Sequence, residues 1–202
     1  MEDKVETHTK GNWVPGVGLG VVSVGLFVLC APFLTIPASR KLGSLPWMTT
    51  PQHVIDRLFR VPAVRQQQQL QGGKGSSFVD LGSGDGRLVI EAAKQGFSRC
   101  VGFELNPLLI ALSYVNAARA GVLGRVSFTR RDFWNANLDS ATVISCFGVN
   151  SIMGRLADKM QKRSIDGHAP LLICLFRFPL PAEHAKRIVH RDDKNELFVY
   201  RM

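Results

Sequence analysis

Hydrophobic and polar positions follow two regimes along this chain. From Val14 to Ile36 every residue is apolar, glycine or proline apart from Ser23 and Thr35. At about 1.5 Å per residue that stretch is long enough for a hydrocarbon layer of roughly 30 Å. Trp13 and Arg40-Lys41 flank it as interface anchors would. The opening MEDKVETHTK holds Glu2, Asp3 and Glu6, which fits a membrane anchor better than a secretory leader with its basic start. A buried core helix is the other reading.

Past Lys41 the apolar runs shorten and alternate with polar turns. A Gly/Pro/Ser linker leads to Thr50-Pro51, read as N-cap and first helical residue of a helix through Val61, with Val54, Ile55, Leu58 and Phe59 on one face. The Gln66 to Gln69 run with Gly72-Gly73-Lys74-Gly75 reads as a solvated loop. Strands are then expected at 78–81, 99–104, 125–129, 141–147 and 171–176, with helices at 87–95, 107–120 and 151–163 between them. Two closing runs, 187–190 and 196–201, flank the turn-like Asp192-Asp193-Lys194-Asn195. The alternation predicts an α/β fold, a parallel sheet with helices on both faces. The chain divides into a tail (1–13), the apolar segment (14–36), a linker with a lid helix (37–75) and one domain (76–202).

The turn after the first strand carries the candidate chemistry. Gly82, Ser83, Gly84, Asp85 and Gly86 join strand to helix, and glycines let the backbone lie against a ligand. In a dinucleotide fingerprint such a turn meets a pyrophosphate, and an acid ending the next strand takes the ribose. Glu104 is that acid, but Asp80 and Asp85 add carboxylates that repel a pyrophosphate and suit a cationic ammonium. S-adenosylmethionine has an ammonium, a ribose diol and no phosphate, and so fits. Asn106-Pro107 can start the next helix, with Asn106 in reach of the adenosine edge.

Composition narrows this only slightly. The 202 residues suit one domain with an extension, and 46% hydrophobic residues with 12 Phe can fill a core. A net charge of +9 suits an acidic partner, nucleic acid or an anionic membrane, and equally a basic organelle interior, so charge alone decides nothing. No aromatic stripe or separate RNA-binding domain favours nucleic acid. Cys30, Cys100, Cys146 and Cys174 lie singly in apolar runs, as buried thiols rather than a zinc site or disulfide framework. His8, His53, His168, His184 and His190 are scattered and read as surface residues.

Taken in order, Asp80-x-Gly-x-Gly-x-Gly, the Glu104 of ELNP, Arg131-Asp132-Phe133-Trp134 and Phe147-Gly148-Val149 resemble the seven-stranded S-adenosylmethionine-dependent methyltransferases. Among these the wording is similar to the mitochondrial protein-lysine N-methyltransferases that modify the ATP synthase c subunit or the adenine nucleotide translocase. The likeness runs from about Trp13 to the C-terminus. It implies a Rossmann-like sheet with an antiparallel last strand and S-adenosyl-L-methionine as cofactor. It further implies Asp80 near the methionine ammonium, Glu104 on the ribose hydroxyls, Asp132 on the adenine amino group and Phe133 against the ring. Phe147, Gly148, Val149 and Asn150 become the loop at the acceptor nitrogen, with no metal. Arg177-Phe178-Pro179 also matches, whereas Phe198-Val199-Tyr200 departs from a Trp-containing pattern. The acceptor is expected to be a lysine of an inner-membrane protein, the c subunit ahead of the translocase on the wording of Phe147-Gly148-Val149. Arg40-Lys41 directs a single-pass anchor to leave the body in the matrix, and the short linker keeps the acceptor close to the bilayer. A methyltransferase-like scaffold without turnover is the non-enzyme alternative.

Overall fold

The computed structural model describes residues 49–69, 75–165 and 171–202. The apolar stretch 14–36, the linker to residue 48, Cys30, His8 and His168 lie outside the described residues. No described helix is long and apolar enough to cross a membrane. The strands are β1 (Ser77–Leu81), β2 (Arg99–Glu104), β3 (Val126–Arg130), β4 (Val143–Cys146), β5 (Leu172–Phe176), β6 (Ile188–Asp192) and β7 (Leu197–Arg201). They form one seven-stranded sheet in the order β3-β2-β1-β4-β5-β7-β6. The first five are parallel, and β7 runs antiparallel between β5 and β6.

Helices α1 (Gln52–Leu58), α2 (Pro62–Gln69), α3 (Arg87–Lys94), α4 (Pro107–Arg119) and α5 (Asn150–Ile165) cover the sheet. Period-two alternation divides the strand side chains between two cores. Phe78, Cys100 and Cys174 pack with Leu58 of α1, Val89 and Ala92 of α3 and Ala117 of α4. Val79, Leu81, Ile144 and Ile173 pack with Met153, Leu156 and Met160 of α5. Because both faces are covered, β1, β4 and β5 are buried at every position, which is why β5 reads as an unbroken apolar run and β1 and β4 are interrupted only by Ser77, Asp80 and Ser145. At the edges β3 has one buried position among half-buried and exposed ones, and β6 alternates half-buried with exposed residues. Phe59, Phe78 and Phe97 meet in a triangle with centroids 5.5 to 6.2 Å apart, fixing α1 over the start of the sheet.

Several local expectations change. The first helix does not run through Val61: it stops at Leu58, because Pro62 restrains the residue before it and opens a second helix. Pro51, not Thr50, takes the N-cap position, without a side-chain cap; Thr50 is buried, and its carbonyl accepts from Arg87 at 3.3 Å. The Gln66 to Gln69 run is helical rather than a loop, in keeping with glutamine's good helix propensity. Cys100, Cys146 and Cys174 are buried free thiols as expected. His184, read as a surface residue, is buried in the 3-10 turn Ala182–Arg187 that folds the chain back before β6.

Candidate active site

One row of paired residues sets up the site. Phe128, Gly102, Asp80, Ser145 and Cys174 are successive register partners across β3, β2, β1, β4 and β5. Asp80 is buried in this row and accepts the Ser145 hydroxyl at 2.7 Å. Burial, helped by the nearby Glu104 and Asp85, pushes its carboxyl up to about 7, with the Ser145 hydrogen bond opposing. Sequence reasoning misses Ser145; a lone hydroxyl in the apolar run of β4 is the only signal it leaves.

The glycine turn is held from several directions. Gly82 and Ser83 both donate their N–H to the Phe103 carbonyl at 2.9 Å. The Ser113 hydroxyl of α4 donates to the Gly84 carbonyl at 3.0 Å, and the Asn116 side chain to the Asp85 carbonyl at 3.0 Å. Gly86 has φ +81, and an added Cβ there would lie 2.8 Å from Phe128 and Ser113. Gly86→Ala is therefore expected to cost about 1–3 kcal/mol of stability, from left-handed strain and overpacking together, read by denaturant unfolding. Unfolding like the parent's would mean that the turn relaxes freely.

Glu104 closes the turn from the neighbouring strand. One carboxylate oxygen accepts the Gly84 N–H at 3.0 Å, and the other accepts the N–H groups of Leu105 and Asn106 at 2.8 and 2.9 Å. Asn106 caps α4 as expected, accepting from Leu108 at 3.0 Å. The loop after β3 is tied in by the Arg131 N–H on the Glu104 carbonyl at 3.3 Å. There one Asp132 oxygen caps the 3-10 turn Phe133–Asn135 by accepting from Trp134. Phe133 and Trp134 lie 4.8 Å apart by ring centroids, and Lys159 of α5 donates to the Trp134 and Ala136 carbonyls. The predicted site residues thus gather at the C-terminal ends of β1, β2 and β3, the ligand-binding end of an open α/β sheet.

Asp85 is corrected. It does not stand as a bare carboxylate facing a cation: Arg87, two residues on, grips it with Nε 2.9 Å from one oxygen and Nη2 2.5 Å from the other. The same Arg87 reaches Thr50, so this pair fastens the segment before α1 to the turn. Asp80 and Asp85 both line the hollow with Thr50, Gly82, Ser83, Gly84 and Phe147, Asp85 carrying Arg87 and Asp80 the Ser145 hydroxyl. The Ser83 hydroxyl there is buried with no partner among the described residues. A buried acid, an unpartnered hydroxyl and glycine backbone suit the ammonium and carboxylate of an amino-acid ligand, as S-adenosylmethionine carries at its methionine end.

Of the four acceptor-loop candidates, Phe147 lines this hollow and the larger cleft beside it, and it stacks on Phe176 at 6.2 Å and 16°. Gly148 is pressed against Ile152 and Met153, so that a Cβ would fall 2.5 Å from Met153. Val149 accepts from Ile152 through its carbonyl, and Asn150 is the exposed first residue of α5. The described residues contain no cluster of His, Cys, Asp and Glu able to hold a metal ion.

Residues 80–187 match the family model described as the ANTKMT methyltransferase domain. The chain is 35% identical over 179 residues to the lysine N-methyltransferase of the ATP synthase c subunit from Homo sapiens, covering 87% of this chain and 71% of that protein. It is 31% identical over 166 residues to the adenine nucleotide translocase lysine N-methyltransferase of Mus musculus, covering 82% of this chain and 66% of that one. Among solved structures, an RNA methyltransferase from Salinibacter ruber in complex with S-adenosyl-L-homocysteine superposes with a TM-score of 0.58 at 29% identity, covering 76% of this chain and 92% of that chain. With its seven-stranded sheet and glycine turn, this chain belongs to the ANTKMT methyltransferase domain family of S-adenosylmethionine-dependent methyltransferases.

Proposed function

We propose that the protein is a protein-lysine N-methyltransferase of the mitochondrial inner membrane whose acceptor is a lysine of the ATP synthase c subunit. The observation that carries this reading is the 35% identity, over 87% of the chain, to the human c-subunit enzyme. The lower 31% identity to the translocase enzyme makes the translocase the alternative acceptor. Bound S-adenosylmethionine supplies an electrophilic methyl group on a sulfonium. The chain's own task is placement: Asp80 faces the ligand's ammonium, Glu104 takes the ribose hydroxyls on the lone pairs left beside its backbone contacts, and Phe133 with Asp132 borders the adenine. Holding donor and acceptor in line supplies most of the acceleration in such a displacement. Deleting the gene and measuring intact masses of both candidates tests the acceptor. Loss of methyl mass from the c subunit is expected; loss from the translocase alone rejects the choice.

The apolar stretch 14–36 supports a single anchor, and Arg40-Lys41 just after it supports a matrix-facing body. The protein is expected in the pellet after carbonate extraction, protected from protease in mitoplasts; release to the supernatant or digestion there counts against this placement. The likeness to an RNA methyltransferase, with the +9 charge, favours RNA as a second substrate class. Methyl transfer to mitochondrial RNA, absent from protein, in the same extract would move the assignment there.

A further inference from the structure

Beside the glycine turn lies a cleft of about 740 Å³, lined by Thr49, Thr50 and His53 at the start of α1, by Lys194 and Glu196 between β6 and β7, and by Phe147, Phe176 and Arg177. Thr49, Thr50 and Phe147 also line the hollow over Asp80, so the two spaces adjoin. Its walls are clamped together: Arg57 of α1 donates to Asp192 at 3.2 Å, and Asp192 holds Asn195 through the backbone N–H and the side chain. Arg177 and Glu196 are the two non-glycine residues with positive φ among the described residues, at 72° and 49°. They are joined directly, the Arg177 N–H donating to the Glu196 carbonyl at 2.7 Å. Two left-handed side-chain-bearing residues tied together at a cleft mouth are strain that glycine would remove, and such strain clusters where side chains serve a site.

We propose that this cleft receives the acceptor lysine and that Arg177, with Lys194, keeps the lysine's nitrogen neutral, while Glu196 draws in the incoming ammonium. The proposal rests on the protein-lysine methyltransferase reading. The parallel Phe147 and Phe176 rings form an apolar wall suited to the lysine's methylene stem. The histidine and carboxylates lining the two spaces are His53 and Glu196 of the cleft and Asp80 and Asp85 of the turn, Asp80 being buried and Asp85 held by Arg87. A nearby cation disfavours the charged form of an amine, so the guanidinium and ammonium groups at this cleft do what a general base would otherwise do. The ammonium gives its proton to solvent water in the open cleft. The freed lone pair then forms the nitrogen–carbon bond to the methyl as the carbon–sulfur bond breaks, leaving a thioether and a methylated ammonium. Arg177 is thus a positioning residue acting through charge.

Arg177→Gly and Glu196→Gly both fit positive φ without strain, so neither variant is expected to melt below the parent. The assay follows methyl transfer from labelled S-adenosylmethionine to a detergent extract of inner mitochondrial membranes from cells lacking the enzyme, counted as N-methyllysine after hydrolysis. In Arg177→Gly the ascending limb of the kcat profile, set by deprotonation of the bound lysine, is expected to move up by about one pH unit. In Glu196→Gly the KM for the extract is expected to rise several-fold with the profile unmoved, and both variants should bind S-adenosylmethionine like the parent by calorimetry. Parental profiles and KM in both, or weakened cofactor binding instead, overturn this inference and leave the enzyme assignment standing. An inactive parent toward every lysine in the extract overturns the assignment itself and this inference with it.

Discussion

Asp80→Asn is expected to stabilise the cofactor-free protein above about pH 7 while weakening its hold on S-adenosylmethionine. Burial, with Glu104 and Asp85 adding to it and Ser145 opposing, raises the Asp80 carboxyl from 3.8 to about 7. Between those values the folded protein keeps a proton that the unfolded chain has released, so stability falls as pH rises from about 4 to about 7 and stays lower beyond. The full span corresponds to about 4 kcal/mol at most. Asparagine keeps the shape, can still accept the Ser145 hydroxyl and never ionises. The variant should therefore melt higher at pH 8, by about 16 °C at most, and like the parent at pH 4. The ligand's ammonium, in contrast, needs the carboxylate. Parent affinity should fall about tenfold per pH unit below 7, and the variant should bind roughly tenfold to a hundredfold more weakly at pH 8. Calorimetry at pH 6 and pH 8 checks both statements. Parent affinity that ignores pH, or parental affinity in the variant, would remove Asp80 from the ammonium's site.

Glu104→Gln should lose nearly as much cofactor affinity as Glu104→Ala, although glutamine is almost the same size. The carboxylate accepts three backbone N–H groups, one from Gly84 on one oxygen and two from Leu105 and Asn106 on the other. An amide has one accepting oxygen, so whichever way it turns, its NH2 group faces a donor. The proposed ribose contacts and the turn that presents them are lost together. Each hydrogen bond to a charged group contributes about 1.5–3 kcal/mol, so the affinity should drop roughly a hundredfold or more in both variants. Glutamine binding within a few-fold of the parent, with alanine far weaker, would show that the ribose needs only one acceptor and that the turn stands without Glu104.

The fold was legible because parallel strands covered on both faces are largely apolar: Leu172–Phe176 is apolar throughout, and Phe78–Leu81 is broken only by the buried Asp80. The glycine turn and Glu104 were legible because their spacing is local. What stayed hidden depends on which groups meet. Formal charge counted Asp85 as a free carboxylate, whereas Arg87 neutralises it through a contact that composition cannot show. Ser145 matters only through its register with Asp80, a partnership between strands far apart in the chain. His184 reads like any polar residue, yet the turn before β6 carries it inward. Asp132 does cap its turn, as a helix-start acid would, through one carboxylate oxygen.

The place of β7 has a consequence for synthesis. This last strand is not appended at the rim but inserted between β5 and β6, pairing along the whole of Leu172–Phe176. Until Leu197–Arg201 has been made, β5 offers an open edge of Leu, Ile, Cys, Leu and Phe with no charge or proline to blunt it. A chain whose synthesis stops before Leu197 would hold the entire cofactor turn yet leave that edge of β5 unpaired and open to self-association.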